Sequence, residues 1–279
     1  MPTHFALPLA AGIGLRAPHV GHVEVERPPV AWYEVHSENY FVAGGPALAA
    51  LERIRADYPL SLHGVGMSLG STDPLDHAHL AKLSRLIARA DPGLVSDHLC
   101  WSSIGGRHLN DLLPLPYTDE ALDHVCARVA EVQEVLGREI AVENVSSYLA
   151  FAESTIPEWE FVATVAQRTG CKLLLDVNNI YVNAINHGFS ADAYLAAITP
   201  ESIAEIHLAG FDASGPCLID THGARVAPEV WALYRSAIAR FGPRPTLIEW
   251  DLDIPALAVL QEEAATAQSI LSMRHAVAA

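Results

Sequence analysis

Eight short apolar runs in this chain end at, or within two residues of, a polar or ionisable side chain. The runs are GIGLR, WYEVHSE, LSLHG, LVSDH, IAVEN, KLLLD, AEIHL and TLIEW. In chain order they deliver Arg16, His36 with Glu38, His63, His98, Glu143, Asp176, His207 and Glu249. Imidazole and carboxylate groups bind zinc, iron and manganese. Brought to one edge of a sheet, these histidines and carboxylates would form a metal site, and more than one metal could be held there.

Three further residues extend this candidate ligand set. Asp220 and His222, in LIDTHGARV, stand two positions apart, so their side chains point the same way in an extended chain and can reach one site together. Asn179 lies three residues after Asp176, in DVNNIY, and can follow it into the site. The alternative interpretation of Asp220 and His222 is a solvated loop.

The number of candidate ligands indicates how many metal ions the site could hold. One catalytic metal usually takes three protein ligands, so about nine ligands suffice for two or three metals when carboxylates bridge them. Glu143 and Asp176 are the predicted bridging and catalytic carboxylates, because a carboxylate has two oxygens to share. The set contains no thiolate, which favours iron, manganese or zinc over copper(I). His36, Glu38 and Asn39, in EVHSENYF, are interpreted as residues that contact substrate or support the ligands.

A structural role is the competing explanation for these residues. A lone histidine at the end of a strand is more often hydrogen-bonded within the core than bound to a metal. A carboxylate at the end of a buried run is rarer, because an unpaired buried charge is costly. Acidic and histidine residues at the ends of so many runs together favour the metal site.

The spacing of the apolar runs predicts the elements that position these side chains. Strands alternating with helix-length stretches are typical of an α/β fold, the (β/α)8 barrel, whose active site lies at the carboxyl ends of the strands. A doubly wound open sheet is the alternative, but it would not place ligands on nearly every strand. We expect one domain over residues 1–279, a loop after the first strand and a long excursion at 101–117. The predicted strands are 12–16, 31–37, 60–64, 94–99, 139–144, 172–177, 203–208 and 245–250, and the predicted helices are 47–57, 76–90, 118–136, 157–169, 190–198, 228–241 and 255–273.

Composition narrows the classes of partner and the compartment. The chain has 17 Lys and Arg against 33 Asp and Glu, a formal charge of −16, which disfavours nucleic acid and anionic membrane surfaces as partners. No apolar run approaches the roughly 20 residues that span a bilayer, and the first residues do not have the pattern of a signal peptide. The 4 cysteines are widely spaced without a CxxC pair, which fits free thiols in the cytoplasm.

The motifs, taken in order, resemble those of a known enzyme family. GIGLR, HSENYF, SLHGVGMSLG, SDHLCW, VENVSSY, LLDVNNIYVNAINHG, EIHLAGF, DTHG and IEWD are similar to segments of the multinuclear non-haem iron-dependent oxidative enzymes, over about residues 12–275. This family includes the iron enzyme of methanobactin biosynthesis. HSENYF with GIGLRAPH most resembles the branch linked to copper-stress peptides, the bufferin maturases. The resemblance implies metal ligands at His63, His98, Glu143, Asp176, Asn179, His207, Asp220, His222 and Glu249.

The resemblance also implies a fold and a reaction. The fold is a TIM barrel like that of xylose isomerase, and the cofactors are two or three iron ions in mixed Fe(II) and Fe(III) states, with O2 as co-substrate. The substrate is a ribosomally made precursor peptide, oxidised at cysteine to thiooxazole or oxazolone–thioamide products. A partner protein that binds the leader of the peptide is expected.

The residues without the resemblance leave other functions open. A divalent-metal sugar isomerase or epimerase would use the same barrel and the same ligand types. A multi-zinc phosphodiester hydrolase would do so too, although the charge of −16 disfavours it. A non-catalytic iron-binding scaffold is the third alternative. The spacing predicts a metal site and does not identify its reaction.

Overall fold

A closed barrel of parallel strands forms the centre of the molecule. The computed structural model of the chain describes residues 7–273. The barrel strands are β1 Ala11–Gly14, β2 Tyr33–His36, β3 Leu60–Gly64, β4 Leu94–His98, β7 Ala141–Glu143, β8 Lys172–Asp176, β9 Ile203–Leu208 and β12 Thr246–Ile248. The predicted barrel is confirmed, because these 8 strands close on themselves in the order β1-β12-β9-β8-β7-β4-β3-β2.

Helices surround the barrel. They are α1 Ala17–Glu26, α2 Pro46–Asp57, α3 His77–Ala90, α4 Asp119–Leu136, α5 Glu158–Thr169, α6 Val177–His187, α7 Ala191–Ala197, α8 Pro228–Phe241 and α9 Leu257–Met273, with short 3-10 helices at Ser37–Tyr40 and Pro200–Ser202. Asp76 caps α3 with its side chain and Thr118 caps α4, each accepting hydrogen bonds from free amides of the first turn. Between residues 7 and 273, no helix is both long and apolar enough to cross a membrane.

The core lies between the barrel and the helices. Strand β8 is buried from Leu173 to Asp176, as expected for a parallel strand covered on both faces. On the outside, α4 packs Leu122, Val125 and Val129 against the sheet, which is the face that its periodicity predicts. The apolar runs therefore form strands because both of their faces find apolar partners.

The segment after the first strand was predicted as a loop, and this was wrong. Helix α1 occupies residues 17–26, with Pro18 near its start. Gly21 and the β-branched valines lower its intrinsic helix propensity, which is why the sequence pattern is weak. Burial of His19 and Val23, with His19 Nε2 2.9 Å from the Pro255 carbonyl, stabilises the helix through tertiary contacts.

The chain after β8 also differs from the prediction. The helix expected at 190–198 is confirmed as α7, but α6, which was not predicted, begins directly after the strand. The Asp176 carboxylate caps α6, because its Oδ1 accepts a hydrogen bond of 2.6 Å from the Asn179 amide. Asp176 was predicted only as a metal ligand at the end of a strand, so its role as a helix cap was missed.

The excursion at 101–117 contains an antiparallel hairpin, β5 Trp101–Ile104 and β6 Arg107–Leu113, which was not predicted. Its turn is Gly105–Gly106, with φ of +59° and +70°, values that glycine adopts without steric cost. The Asp73 carboxylate accepts 2.9 Å hydrogen bonds from both glycine amides and anchors the turn. A second, shorter hairpin pairs β10 Phe211–Asp212 with β11 Ile219–Asp220. Both hairpins follow barrel strands at their carboxyl ends.

Candidate metal centre

The carboxyl ends of the barrel strands bring the predicted ligands together. Strand register places His98 beside Glu143 and Asp176 beside His207. Glu249 directly follows β12. All of these side chains are buried, with 0% to 7% exposure. Of these, His98 and Glu249 line a cavity of about 140 Å³, whose wall also includes His36, Asp220 and His222.

Three donor atoms form the first group, which we name group one: His63, His98 and Glu143. Glu143 Oε2 lies 3.1 Å from His63 Nε2 and 3.2 Å from His98 Nε2. The two ring nitrogens lie 3.3 Å apart. Ligands that share a first-row metal at bonds of about 2.0–2.2 Å are themselves about 3–3.5 Å apart. The spacing of group one therefore fits a metal ion.

Hydrogen bonds fix the orientation of both rings in group one. His98 Nδ1 donates to the Gly64 carbonyl at 3.0 Å, and His63 Nδ1 lies 2.8 Å from the Ser96 hydroxyl. A hydrogen bond at one ring nitrogen leaves the other nitrogen as the ligand. In both residues Nε2 is turned towards Glu143. The rings are therefore already set for metal binding.

Group two consists of Glu143, Asp176, His207 and Glu249, whose donor atoms lie within 4.8 Å of one another. His207 Nδ1 is 2.8 Å from Glu249 Oε2 and 3.9 Å from Glu143 Oε1. Glu143 belongs to both groups, which is the geometry that a bridging carboxylate requires. Both of its oxygens are buried and accept no well-aligned hydrogen bond from the described residues. Such orphaned oxygens are explained by a cation.

Group three is Asp176, Asn179, Asp220 and His222. His222 Nε2 lies 2.7 Å from Asp220 Oδ1 and 3.7 Å from Asp176 Oδ2. Asp176 Oδ2 and Asn179 Oδ1 are buried without a hydrogen-bond partner among residues 7–273. The extended chain expected for Asp220 and His222 was wrong, because His222 has φ of +43° and the chain turns there. The turn nevertheless brings the two side chains together.

Two buried glutamates below the cavity were not predicted. Glu34 Oε1 and Glu205 Oε1 each lie 3.2 Å from His207 Nε2, and both side chains are 0% exposed. Each stands two residues before a rim histidine, His36 or His207, so strand periodicity puts it on the same face. That spacing was the signal available in the sequence. The pair holds Nε2 of His207 and leaves Nδ1 facing group two.

Arg16 and Asp251 complete the outer side of the centre, and neither was predicted as a site residue. Arg16 Nη2 is 3.1 Å from Glu249 Oε1, and its Nε donates to Asp251 Oδ1 at 2.9 Å. Asp251 Oδ2 lies 3.3 Å from His222 Nδ1. The guanidinium therefore holds one oxygen of Glu249 and leaves the other for His207. Asp251 follows Glu249 by two residues, the same periodic signal as for the buried glutamates.

The three residues predicted to contact substrate lie in different places. His36 is part of the cavity wall, with Nε2 3.6 Å from Glu249 Oε1. Glu38 is not among the described wall residues, because the 3-10 helix carries it away, and it accepts a 3.1 Å hydrogen bond from the Val65 amide. It lies 3.5 Å from His79 Nε2. Asn39 is exposed.

Several of the candidate metal ligands have pKa values shifted by burial and by neighbouring charges. Burial opposes the charged form of His63, but the Glu143 carboxylate raises its pKa to about 10. Burial likewise opposes ionisation of Glu249, but His207 and His222 lower its pKa well below the ordinary value. Burial raises the pKa of Asp176. Since metals bind the deprotonated ligands, protons and metal ions compete for this centre.

The buried glutamates differ from each other in charge. Burial, and then the neighbouring Glu34 carboxylate, raise the pKa of Glu205 to about 8. Burial also opposes ionisation of Glu34, but His207 lowers its pKa. Of the two carboxyl groups beneath His207, Glu205 therefore binds a proton more tightly than Glu34. Among the described residues, no cysteine belongs to a ligand group, so the donors are nitrogen and oxygen only.

Comparison with known proteins gives matches along nearly the whole chain. A family model described as RiPP precursor modification enzyme MbnB/TglH/ChrH matches residues 10–272. A UPF0276 protein of Anaeromyxobacter sp. (strain Fw109-5) is 54% identical over 263 residues, covering 94% of this chain and 93% of that protein. A UPF0276 protein of Vibrio parahaemolyticus is 51% identical over 273 residues, covering 96% and 95%.

Solved structures share the barrel at much lower identity. D-psicose 3-epimerase from Clostridium cellulolyticum aligns with a TM-score of 0.59 at 11% identity, covering 95% of this chain and 98% of that chain. Endonuclease IV from Thermus thermophilus aligns with a TM-score of 0.58 at 17% identity, covering 95% and 98%. At these identities the likeness concerns the fold alone.

Proposed function

Because the chain belongs to the MbnB/TglH/ChrH family of RiPP precursor modification enzymes, as its motifs predict, we propose that it oxidises cysteine residues of a precursor peptide with iron and O2. The observation that carries the proposal is the convergence of three ligand groups on one rim. Groups one and two share Glu143, and groups two and three share Asp176. Shared carboxylates suit adjacent metals, which multi-electron oxidation requires.

The chain provides separate places for two or three irons. His63, His98 and Glu143 would hold one ion, the residues of group two would hold another, and group three would supply ligands for a further one. Nitrogen and oxygen donors fit iron. When bound, iron supplies a Lewis acid for the peptide thiolate and a redox couple with dioxygen.

The cavity supports a peptide side chain as the reacting group. Its volume of about 140 Å³ is below the range of roughly 300–1,000 Å³ typical of small-molecule pockets. A cysteine side chain fits such a space. Val65, Leu112 and Val145 contribute apolar wall around the polar centre and limit access of water to it.

His36 has the position of a proton acceptor. Its Nε2 faces the cavity beside Glu249 and Asp251, 3.6 Å from each. This nitrogen would accept the thiol proton of a cysteine that enters the cavity.

The products are thiooxazole or oxazolone–thioamide groups. Hydrogens and electrons leave the peptide and reduce dioxygen to water, which balances the oxidation. A leader-binding protein delivers the peptide, and the net charge of −16 favours a basic leader or partner. The reaction takes place in the cytoplasm, where precursor peptides are made and thiols stay reduced.

Co-expression with cysteine-containing peptides encoded beside the gene tests this function. The expected result is iron-rich protein, oxygen uptake, and a peptide whose mass falls by the hydrogen lost at its cysteines. A protein that keeps zinc or manganese after anaerobic iron reconstitution and turns over ketoses would support the epimerase alternative instead. Bound iron without oxygen uptake or a mass change would support the scaffold alternative.

A further inference from the structure

The hairpin of β5 and β6 presents an open strand edge beside the metal centre. Among residues 7–273, β6 pairs only with β5, in a sheet of 2 strands. Its residues 107–111 are exposed, and the Asp73 contacts hold the turn in place. An unpaired edge offers a row of backbone donors and acceptors to another extended chain.

A groove runs along this hairpin; we name it the β6 groove. Its volume is about 420 Å³, and residues 109–113 of β6 form one wall. Ser146, Tyr148 and Leu149 contribute to the opposite wall. Val65, Leu112, Ser146 and Asp220 line both this groove and the metal cavity, so the two spaces adjoin.

Apolar side chains stay exposed in the β6 groove. Leu109 is 40% exposed, Tyr148 48% and Leu149 50%. Large apolar groups gathered at one exposed place indicate a binding surface. The Tyr148 hydroxyl accepts a 2.9 Å hydrogen bond from the Asp220 amide, so the wall of the groove is tied to group three.

The charge of the β6 groove favours one kind of occupant. Asp111 and Asp220 are the charged residues of its described wall, and no Lys or Arg lies among them. A peptide segment with acidic side chains would meet repulsion there. Neutral and basic segments are favoured.

We propose that the β6 groove binds the substrate peptide as an extended strand added to β6, with a basic residue near Asp111 and the reactive cysteine turned past Tyr148 into the metal cavity. This inference rests on the proposed function and specifies how its substrate is held. Strand addition supplies backbone hydrogen bonds whatever the sequence, and the groove selects alternate side chains. A strand rises about 3.3 Å per residue, so β6 accommodates a segment of about five to seven residues.

Binding without turnover tests the proposal. The probe is a fluorescein-labelled peptide of about ten residues, alternating Thr and Val, with two Lys and with Ser in place of the cysteine. A matched probe carries Glu in place of both Lys. Fluorescence anisotropy is measured on zinc-loaded protein, so that neither oxidation nor a thiolate–metal bond contributes. We expect saturable binding of the basic probe and affinity lower by about tenfold or more for the acidic one.

Backbone pairing is tested separately from side-chain contact. Two further probes carry N-methyl groups on alternate residues, one on odd and one on even positions. Successive amides of a strand point to opposite edges, so only one of the two probes should lose binding. Loss in both, or in neither, contradicts addition to a single strand edge.

Substitutions in the β6 groove test whether the probe binds there. Leu109→Lys and Leu149→Lys should each weaken the basic probe about tenfold while zinc content stays the same. Val135→Lys is the matched control, because Val135 is 43% exposed near the end of α4, at the opposite end of the barrel. Unchanged affinity in both groove variants, or no saturable binding by the wild type, overturns the proposal. Binding without later oxidation of a cysteine peptide would contradict only the proposed function.

Discussion

The metal centre has two parts built from different kinds of backbone. His63, His98 and Glu143 of group one end barrel strands, where the ladder fixes each position and side chains are 1% to 7% exposed. Asp220 and His222 of group three lie on a short hairpin and the turn after it. Asp220 is held mainly by side chains, with Ser146 Oγ donating at 3.2 Å and Asn178 Nδ2 at 3.0 Å.

The difference indicates how each part binds metal. Group one is set before the ion arrives, because closing the barrel already determines its donor positions. Asp220 and His222 of group three are held by a left-handed turn and by bonds between side chains, so the barrel ladder constrains their donor positions less. We therefore expect two classes of site, with the strand-end class tighter. The experiments below test this division, from the largest expected effect to the smallest.

Glu143→Ala should have the largest effect, because Glu143 belongs to groups one and two. Its loss also leaves the two histidines facing a void. We expect most of the bound metal to disappear and peptide oxidation to fall by about a thousandfold or more. Elemental analysis and peptide mass spectrometry measure both. Glu139→Ala, an exposed change just before the same strand, is the control, and full iron content with full activity in Glu143→Ala would contradict the shared-ligand assignment.

Asp220→Asn should affect the loop part alone. The variant removes the charge 2.7 Å from His222 Nε2 and leaves groups one and two intact. We expect one class of bound metal to weaken by about tenfold or more, seen in a chelator titration. Asp212→Asn is the matched control on the neighbouring strand β10, where the carboxylate is exposed. Equal weakening of both classes would remove the distinction between the two parts.

Glu34→Gln tests the support beneath group two. The substitution removes the negative charge 3.2 Å from His207 Nε2. Outer carboxylates of this kind contribute about 10–100-fold to metal affinity, and we expect a loss at the lower end, confined to the strand-end class. Ser61→Ala, which touches Glu205 but not His207, is the control. Partial rescue by Glu34→Asp separates positioning of the ring from a general loss of fold, which circular dichroism monitors.

Glu158→Gln should change stability and leave both metal classes unaffected. Burial raises the pKa of Glu158 from 4.5 to about 7, so the folded protein binds this proton more tightly than the unfolded chain. The stabilisation is complete below about pH 4.5 and is lost as pH rises to about 7. The variant keeps the neutral form and partners for Tyr194 and Asn183.

Denaturant unfolding of metal-free protein measures this effect. At about 1.4 kcal/mol per pKa unit, the variant should be more stable than the wild type by up to about 3 kcal/mol at pH 8, with little difference near pH 4.5. Glu160→Gln, exposed in the same helical turn, should show no such trend. A pH-independent difference would contradict the assignment, and a change in metal content would link the two properties.

The barrel was predictable because strand ends are set by the lengths of apolar runs. Strand β9 begins and ends as expected at 203–208, and ligands at strand ends follow from that placement. Helix α1 was missed because tertiary contacts stabilise it, and α6 because its cap is also a candidate ligand. Loop geometry was the least predictable, since His222 reaches Asp220 through a positive φ that its residue type does not signal.

The residues that support the ligands were not predicted, for a different reason. Glu34, Glu205 and Asp251 share the two-residue spacing of the rim residues, so the sequence contained their signal. A period of two places a residue on the inner face of the barrel and does not say what it contacts there. Arg16 lies at the end of its apolar run, as predicted. Its contact with Glu249 joins residues that are 233 positions apart in the chain, and the local sequence pattern does not indicate such a contact.

Asp176 serves two elements at once, because Oδ1 caps α6 while Oδ2 faces groups two and three. Few substitutions of Asp176 would therefore preserve both roles. Asparagine would keep the cap but lose the charge, and glutamate would keep the charge but move it one methylene beyond the Asn179 amide. Selection on helix formation and selection on metal binding therefore act on the same side chain, so a lineage that abandons the metal would still need a capping residue such as aspartate, asparagine, serine or threonine at this position.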